Sequence, residues 1–221
     1  MATFALIHGA GDVGWYWHLV EAELRDMGHD VVAPDLPCED DTAGLSEYAD
    51  TVLEAIGDRS ELVVVAQSFG AFTAPLVCDR TPVELLVLVA GLIPAPGEAG
   101  RDWWTNTGYE PDSRADWDDE VTIFYHDVPP ELAAEALERG RRQSDTPGEE
   151  PWPLDAWPDV DTRFVLCRDD RLLPADFMRR VVRERLGFAP DEIESGHCPA
   201  LSRSKELAER LDAYCASPDQ R

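Results

Sequence analysis

The stretch that decides the fold is Glu61-Leu62-Val63-Val64-Val65-Ala66-Gln67-Ser68-Phe69-Gly70-Ala71. Five apolar residues in a row, without polar alternation, describe a strand buried on both faces, as in a parallel sheet covered by helices on each side. The next residues break that strand and open a helix over Phe69–Asp79. Ala66 and Gly70 are small and stand two before and two after Ser68, as a sharp strand-to-helix turn requires when it lifts a serine above a sheet edge. Such a turn also places Ser68 at the positive end of a helix, which favours a developing anion. A serine that merely caps a helix would read the same over these few residues, so the case depends on the rest of the chain.

Outward from this point the segments alternate. Thr3–His8, Asp30–Pro34, Val83–Ala90, Thr162–Cys167 and Asp191–Ser195 read as further strands. Trp15–Met27, Ser46–Ile56, Ala175–Leu186 and Pro199–Cys215 read as helices between and after them. The pattern predicts an α/β doubly wound fold with a mostly parallel sheet of about six strands. One segment interrupts it. Residues 94–161 hold Trp103, Trp104, Trp117, Trp152 and Trp157, many prolines and one helical stretch, Pro130–Arg142. This reads as a helical cap inserted into a single-domain core made of residues 1–93 and 162–221, with Ser144–Pro153 as a mobile loop.

Three more elements stand at the ends of predicted strands. His8-Gly9-Ala10-Gly11 follows the first, and its glycines leave room for a substrate beside the backbone. Acyl transfer needs two N–H donors for an oxyanion, and Phe69 and Ala10 are the natural pair. His8 is expected to brace this loop rather than to catalyse. Asp169-Asp170-Arg171-Leu172-Leu173-Pro174 follows the fifth strand, and the spacing from Asp170 to Pro174 favours Asp170 as the carboxylate that orients a histidine. Ser195-Gly196-His197-Cys198-Pro199 follows the last strand and supplies that histidine, His197. The order Ser68, Asp170, His197 is that of the Ser…Asp…His triads built on strand–turn–helix serines. Gly9, Trp17, Trp103, Trp104 and Cys198 are the expected pocket residues. No cofactor and no metal site is expected.

The bulk numbers agree with a small-molecule enzyme. The 221 residues carry a net charge of −26, and Lys205 is the only lysine, so the surface should repel nucleic acid and anionic membranes. No apolar run approaches the roughly 20 residues of a membrane helix. The five cysteines are scattered without C-x-x-C spacing, and no leader is evident, so a cytoplasmic protein is expected. A homodimer is left open.

Taken together, Leu6–Gly11 with Trp15 and Trp17, the turn at Ser68, Phe124–Pro129, Asp170–Pro174 and Gly196–Ser202 resemble the α/β-hydrolase superfamily. Within it the chain looks similar to small bacterial hydrolases related to plant methylesterases and hydroxynitrile lyases. The resemblance implies a cofactor-free serine hydrolase with a helical cap. Ser68, Asp170 and His197 would match its triad, and Ala10 and Phe69 its oxyanion donors. The expected reaction is hydrolysis of a carboxylic ester, or similar activated acyl group, of a small to medium apolar substrate. Lyase, dehydratase or cyclase chemistry on the same residues, and ligand binding without turnover, are the alternatives. This chain departs from the resembled pattern at Ala66, Gln67, Asp12 and Ser204. Lyases of that kind commonly carry a threonine at the position of Gly9 and a lysine at that of Cys198.

Overall fold

The computed structural model describes residues 1–111, 116 and 119–216; Trp117 lies outside them. Six strands form one sheet: β1 (Thr3–Ile7), β2 (Asp30–Val32), β3 (Leu62–Gln67), β4 (Leu85–Val89), β5 (Thr162–Cys167) and β6 (Asp191–Ile193). Their order is β2-β1-β3-β4-β5-β6 and every pairing is parallel. Alternate residues feed two apolar cores. Ala5, Ile7, Val64, Ala66, Leu86 and Leu88 face one of them. Phe4, Leu6, Val63, Val65, Val87 and Val89 face the other. With both faces buried, these strands can be apolar at every position, which is why they read as continuous runs.

Helices cover both faces. α1 (His18–Asp26) follows a 3₁₀ turn over Gly14–Trp17, and α2 (Leu45–Ile56) and α3 (Ala74–Arg80) precede β3 and β4. The cap contributes α4 (Gly100–Asn106), α5 (Glu120–Phe124), α6 (Pro130–Arg139) and α7 (Thr146–Glu149). After β5 come α8 (Ala175–Leu186), α9 (Pro199–Ser202) and α10 (Ser204–Ala216).

Several expectations are corrected in detail. The helices expected to start at Trp15 and Phe69 begin as 3₁₀ turns, Gly14–Trp17 and Ser68–Phe72. The last helix is two, divided where Arg203 takes φ −140°. α6 stops at Arg139 rather than Arg142, because Gly140 turns extended and frees Arg141 N to donate to Gly11 O at 2.6 Å. Ser144–Pro153 is a fastened segment rather than a bare loop. It contains α7, the Glu150 carboxylate accepts from Leu45 N at 3.1 Å, and the buried Trp152 donates Nε1–H to Phe72 O at 3.0 Å.

β1 has β2 on one side and β3 on the other, so the chain leaves β1 and β3 in opposite directions. In open parallel sheets a crevice forms at that reversal, beyond the strands' C-terminal ends. The register Ile7↔Ala66 and Gln67↔Val89 keeps those ends level. His8–Asp12 and Ser68 therefore flank the crevice.

The start of the cap is tied to α8 by a buried ion pair between Glu98 and Arg185, whose Nη2 lies 2.8 Å from Glu98 Oε1. Burial pushes the Glu98 carboxyl up, but hydrogen bonds from Arg185 and Asn106 outweigh it and hold the carboxyl below its usual range. A depressed folded-state value means stability that is present at neutral pH and lost as pH falls through it. Glu98→Ala should therefore cost about 3 kcal/mol at pH 7, the scale of an orphaned buried partner. Urea unfolding should show that cost shrinking in acid.

Candidate active site

Ser68 takes φ +52°, a left-handed conformation that a non-glycine residue holds only when its surroundings impose it. What imposes it is the approach of two backbones. A Cβ on Gly70 would stand 2.6 Å from His8 O, so only glycine lets the turn pack against the end of β1. The Ser68 carbonyl is fixed from the other side by Leu92 N at 3.0 Å. Phe69 follows as the second residue of a new helical turn, where N–H groups have no intrahelical acceptor.

His8 is fully buried, and both ring nitrogens are engaged. Nε2 accepts from Leu36 N at 3.0 Å, so the proton is on Nδ1, which donates to Gly9 O at 2.8 Å. Burial lowers its pKa to about 4, so the ring is neutral at physiological pH. The Gly9–Ala10 peptide is trans, so a carbonyl pulled toward His8 turns the Ala10 N–H the opposite way. His8 thus braces the loop, as expected from the sequence. The cap braces it too: Gln143 Oε1 accepts from Gly11 N at 2.9 Å, and Arg141 reaches Asp12 O.

His197 and Asp170 meet directly. His197 Nδ1 lies 2.8 Å from Asp170 Oδ2, with side chains only 4% and 1% exposed. Asp170 Oδ1 accepts from Leu172 N at 2.8 Å and Leu173 N at 3.0 Å, which fixes the carboxylate. Asp169, its neighbour, is exposed. With Nδ1 donating to the carboxylate, Nε2 of the neutral ring is left as an acceptor. Gln67 holds the far side of the loop by donating Nε2–H to His197 O at 3.2 Å. Phe124 of the cap packs edge-on against the His197 ring, 5.5 Å between centroids.

Ser68, His197, Ala10 and Phe69 line one cavity of about 940 Å³, large enough for a drug-sized ligand. Gly9, Trp104 and Cys198 also line it. Trp17 and Trp103 do not. Trp17 is fully buried in one core, and Trp103 is buried in the other with its Nε1–H on Ile93 O at 2.8 Å. Burial pushes the Cys198 thiol far above its usual range, so the cavity meets a neutral S–H there. Most of the other wall residues were not anticipated as such, and Phe124, Tyr125 and Asp12 are the ones that stretches singled out in the sequence could have flagged. The first two belong to the Phe124–Pro129 motif, and Asp12 to the departures from the resembled pattern.

The arrangement can present a serine hydroxyl, a neutral imidazole oriented by a carboxylate, and backbone donors to one bound carbonyl. Comparison with known proteins agrees in kind. The profile described as "Alpha/beta hydrolase family" matches residues 4–210. The chain is 24% identical to Methylesterase 7 of Arabidopsis thaliana, covering 94% of each. It is 23% identical to Methyl jasmonate esterase 1 of Vitis vinifera, covering 97% of each. Among solved structures it resembles polyneuridine aldehyde esterase, with TM-score 0.82 at 18% identity over 97% of this chain and 99% of that one. A pyrethroid hydrolase from Sphingobium faniae JZ-2 gives TM-score 0.79 at 21% identity, over 98% of both chains.

Asp12 yields a test of the cavity's electrostatics. Burial raises its carboxyl from 3.8 to about 6, against the hydrogen bond from Val13 N and the nearby Arg141. A raised folded-state value means a stabilising contribution that is complete below the unfolded value and lost as pH rises through the folded one. Asp12→Asn cannot ionise and keeps that contribution. The variant should match wild type near pH 4 and exceed it above pH 7 by up to about 3 kcal/mol. Denaturant unfolding across that range checks it; an equal effect at both ends would refute the assignment.

Proposed function

The chain belongs to the alpha/beta hydrolase family, and on that premise we propose that it is a serine esterase for small to medium, largely apolar carboxylic esters. The observation that carries the reading is the strained Ser68 turn sharing a cavity with the buried His197–Asp170 pair. In this mechanism Ser68 Oγ attacks the ester carbonyl while His197 Nε2 takes the hydroxyl proton. The oxyanion of the tetrahedral intermediate accepts from Ala10 N–H and Phe69 N–H. Asp170 holds the ring tautomer and stabilises the imidazolium. His197 then protonates the leaving alkoxide, and the alcohol departs. Water, deprotonated by the same ring, attacks the acyl-serine; the acid leaves and Ser68 regains its proton. Phe69, Leu92, Trp104, Phe124 and Leu172 give the cavity its apolar wall. We place the enzyme in the cytoplasm, where its five free thiols would stay reduced.

A fluorophosphonate should label wild-type protein at Ser68, and peptide mass spectrometry should find the adduct there. Ser68→Ala should abolish both labelling and turnover of p-nitrophenyl esters with the circular dichroism unchanged. Asp170→Asn should lower kcat by on the order of 10⁴, whereas Asp169→Asn should leave it nearly intact. An active Ser68→Ala variant would overturn the covalent route.

Cyanohydrin cleavage is the lyase chemistry the site fits worst. A Cβ at Gly9 would stand 2.4 Å from Gln67 Oε1 and 3.1 Å from Ser68 Cβ, so a hydroxyl-bearing side chain there would have to displace the Gln67 carboxamide that holds His197 O. The Cys198 thiol is neutral, and Lys205 is exposed on α10, 4.0 Å from Glu209. No fixed cation from either position meets a departing cyanide. Mandelonitrile incubated with the enzyme should release cyanide no faster than with Ser68→Ala; faster release would favour the lyase reading over the esterase.

A further inference from the structure

The mechanism uses Ser68, His197 and Asp170 but leaves unexplained why the cap motif Phe124–Pro129 should meet them. Its contacts are specific. His126 Nε2 lies 3.0 Å from Asp169 O, and because a carbonyl only accepts, the ring donates to it. Asp127 Oδ2 accepts from Gly196 N at 2.8 Å and from Ser195 Oγ at 3.3 Å. Asp169 immediately precedes Asp170, and Gly196 immediately precedes His197. Two consecutive cap residues thus grip the residues just before the acid and the base. The two loops are also joined to each other by Asp169 N on Ser195 O at 3.0 Å.

The fit leaves no slack. A Cβ on Gly196 would stand 2.6 Å from Asp127 Oδ1 and 2.7 Å from His126 Nε2, so glycine is needed for the two cap side chains to reach the loop backbone. Asp127 Oδ1 is buried with no hydrogen-bond partner among the described residues. A buried carboxylate oxygen without a partner carries a desolvation penalty, and such costs are tolerated where function requires the group. On the ring itself, Asp170 holds Nδ1 and Phe124 covers one side. From the core, Gln67 holds the His197 carbonyl. The backbone that enters His197 is held from the core through Ser195, whose Oγ lies 2.8 Å from Ser202 Oγ, and from the cap through Asp127 on Gly196 N, the bond nearest the ring.

We infer that His126 and Asp127 are positioning residues of the cap, which set the aim of the His197–Asp170 pair at Ser68 by tethering the residues just before each. The inference rests on the hydrolase reading, and it makes seating of the cap a condition for catalysis.

The test uses the full chain and p-nitrophenyl butyrate. Asp127→Ala should lower kcat about 10²-fold, the scale of a misaimed catalytic group, with KM within about twofold. Asp127→Asn keeps an acceptor for Gly196 N–H and should recover kcat to within about fivefold. His126→Ala removes only a donor on a partly exposed ring, so it stays testable if Asp127→Ala fails to fold. It should lower kcat about tenfold, and His126→Gln, which retains a side-chain N–H, should restore most of it. A second readout needs no substrate: the low-field proton signal of His197 Nδ1–H, assigned by its loss in Asp170→Asn. It should persist in Asp127→Asn and shift or broaden in Asp127→Ala. Wild-type kcat in folded Asp127→Ala or in His126→Ala would overturn the inference. So would an Asp127→Asn variant as poor as the alanine, or a proton signal unmoved in Asp127→Ala. If the wild type shows no Ser68-dependent turnover, the esterase reading fails instead, and the proton signal still decides the positioning role.

Discussion

The structure depends on the contact between the backbone leaving β1 and the turn leaving β3. His8 O stands where a side chain at Gly70 would be, so the turn can close only on glycine. Closure drives Ser68 to positive φ and raises its hydroxyl over the sheet edge. It also brings the Ala10 peptide to the same crevice as the Phe69 N–H. Holding a serine in the left-handed region costs on the order of 1 kcal/mol or more, and the cost is met by buried neighbours: the parallel register of β1 on β3, and the Leu92 bond to the Ser68 carbonyl. The proposed nucleophile and the proposed oxyanion donors are thus products of a single packing event.

The acid–base pair is built by a different principle. β5 and β6 end level with each other, and their outgoing loops are stitched by backbone bonds such as Arg168 N to Ile193 O at 2.9 Å. Asp170 is then held by amides, and its carboxylate has one oxygen left for His197. A buried carboxylate with amide donors on one oxygen and an imidazole on the other is fully occupied, which makes its burial affordable. The neighbouring Asp169 has no such cradle, and it stays in solvent.

Much of this was legible in the sequence, for identifiable reasons. Strands buried on both faces announce themselves as unbroken apolar runs. The site residues follow strand ends, where a parallel sheet gathers its loops. Asp170 was separable from Asp169 by its distance from Pro174, and the structure gives the reason: Leu172 and Leu173 amides turn back onto Asp170. What was hidden depends on contacts between distant segments. The end of α6 is set by Gly11, far away in sequence, and no local signal at Arg139 reports it. Trp17 and Trp103 were indistinguishable from pocket residues, because an aromatic ring suits a core and a cavity equally. Only the third dimension shows that Trp103 spends its N–H on Ile93 O while Trp104 reaches the cavity. Asp12 stood out in the sequence as a departure, but its titration is a property of burial, which the sequence does not display.

These contacts give the cap an unusual relation to the core. Its middle binds the acid–base loops through Phe124, His126 and Asp127, and its far end binds the oxyanion loop through Arg141 and Gln143. Both halves of the proposed catalytic apparatus therefore have one face on the sheet and one on the cap. A lid that only roofed the cavity could vary freely in sequence and in seating. This one cannot move at either anchor without disturbing a loop that carries one of the proposed catalytic groups. Within the cap, freedom to change the substrate falls to side chains such as Trp104, Tyr125 and Leu137, which line the cavity and are not among the side chains that hydrogen-bond those loops. The division is physical: hydrogen bonds to loop backbone fix geometry, and the apolar side chains between them fix shape.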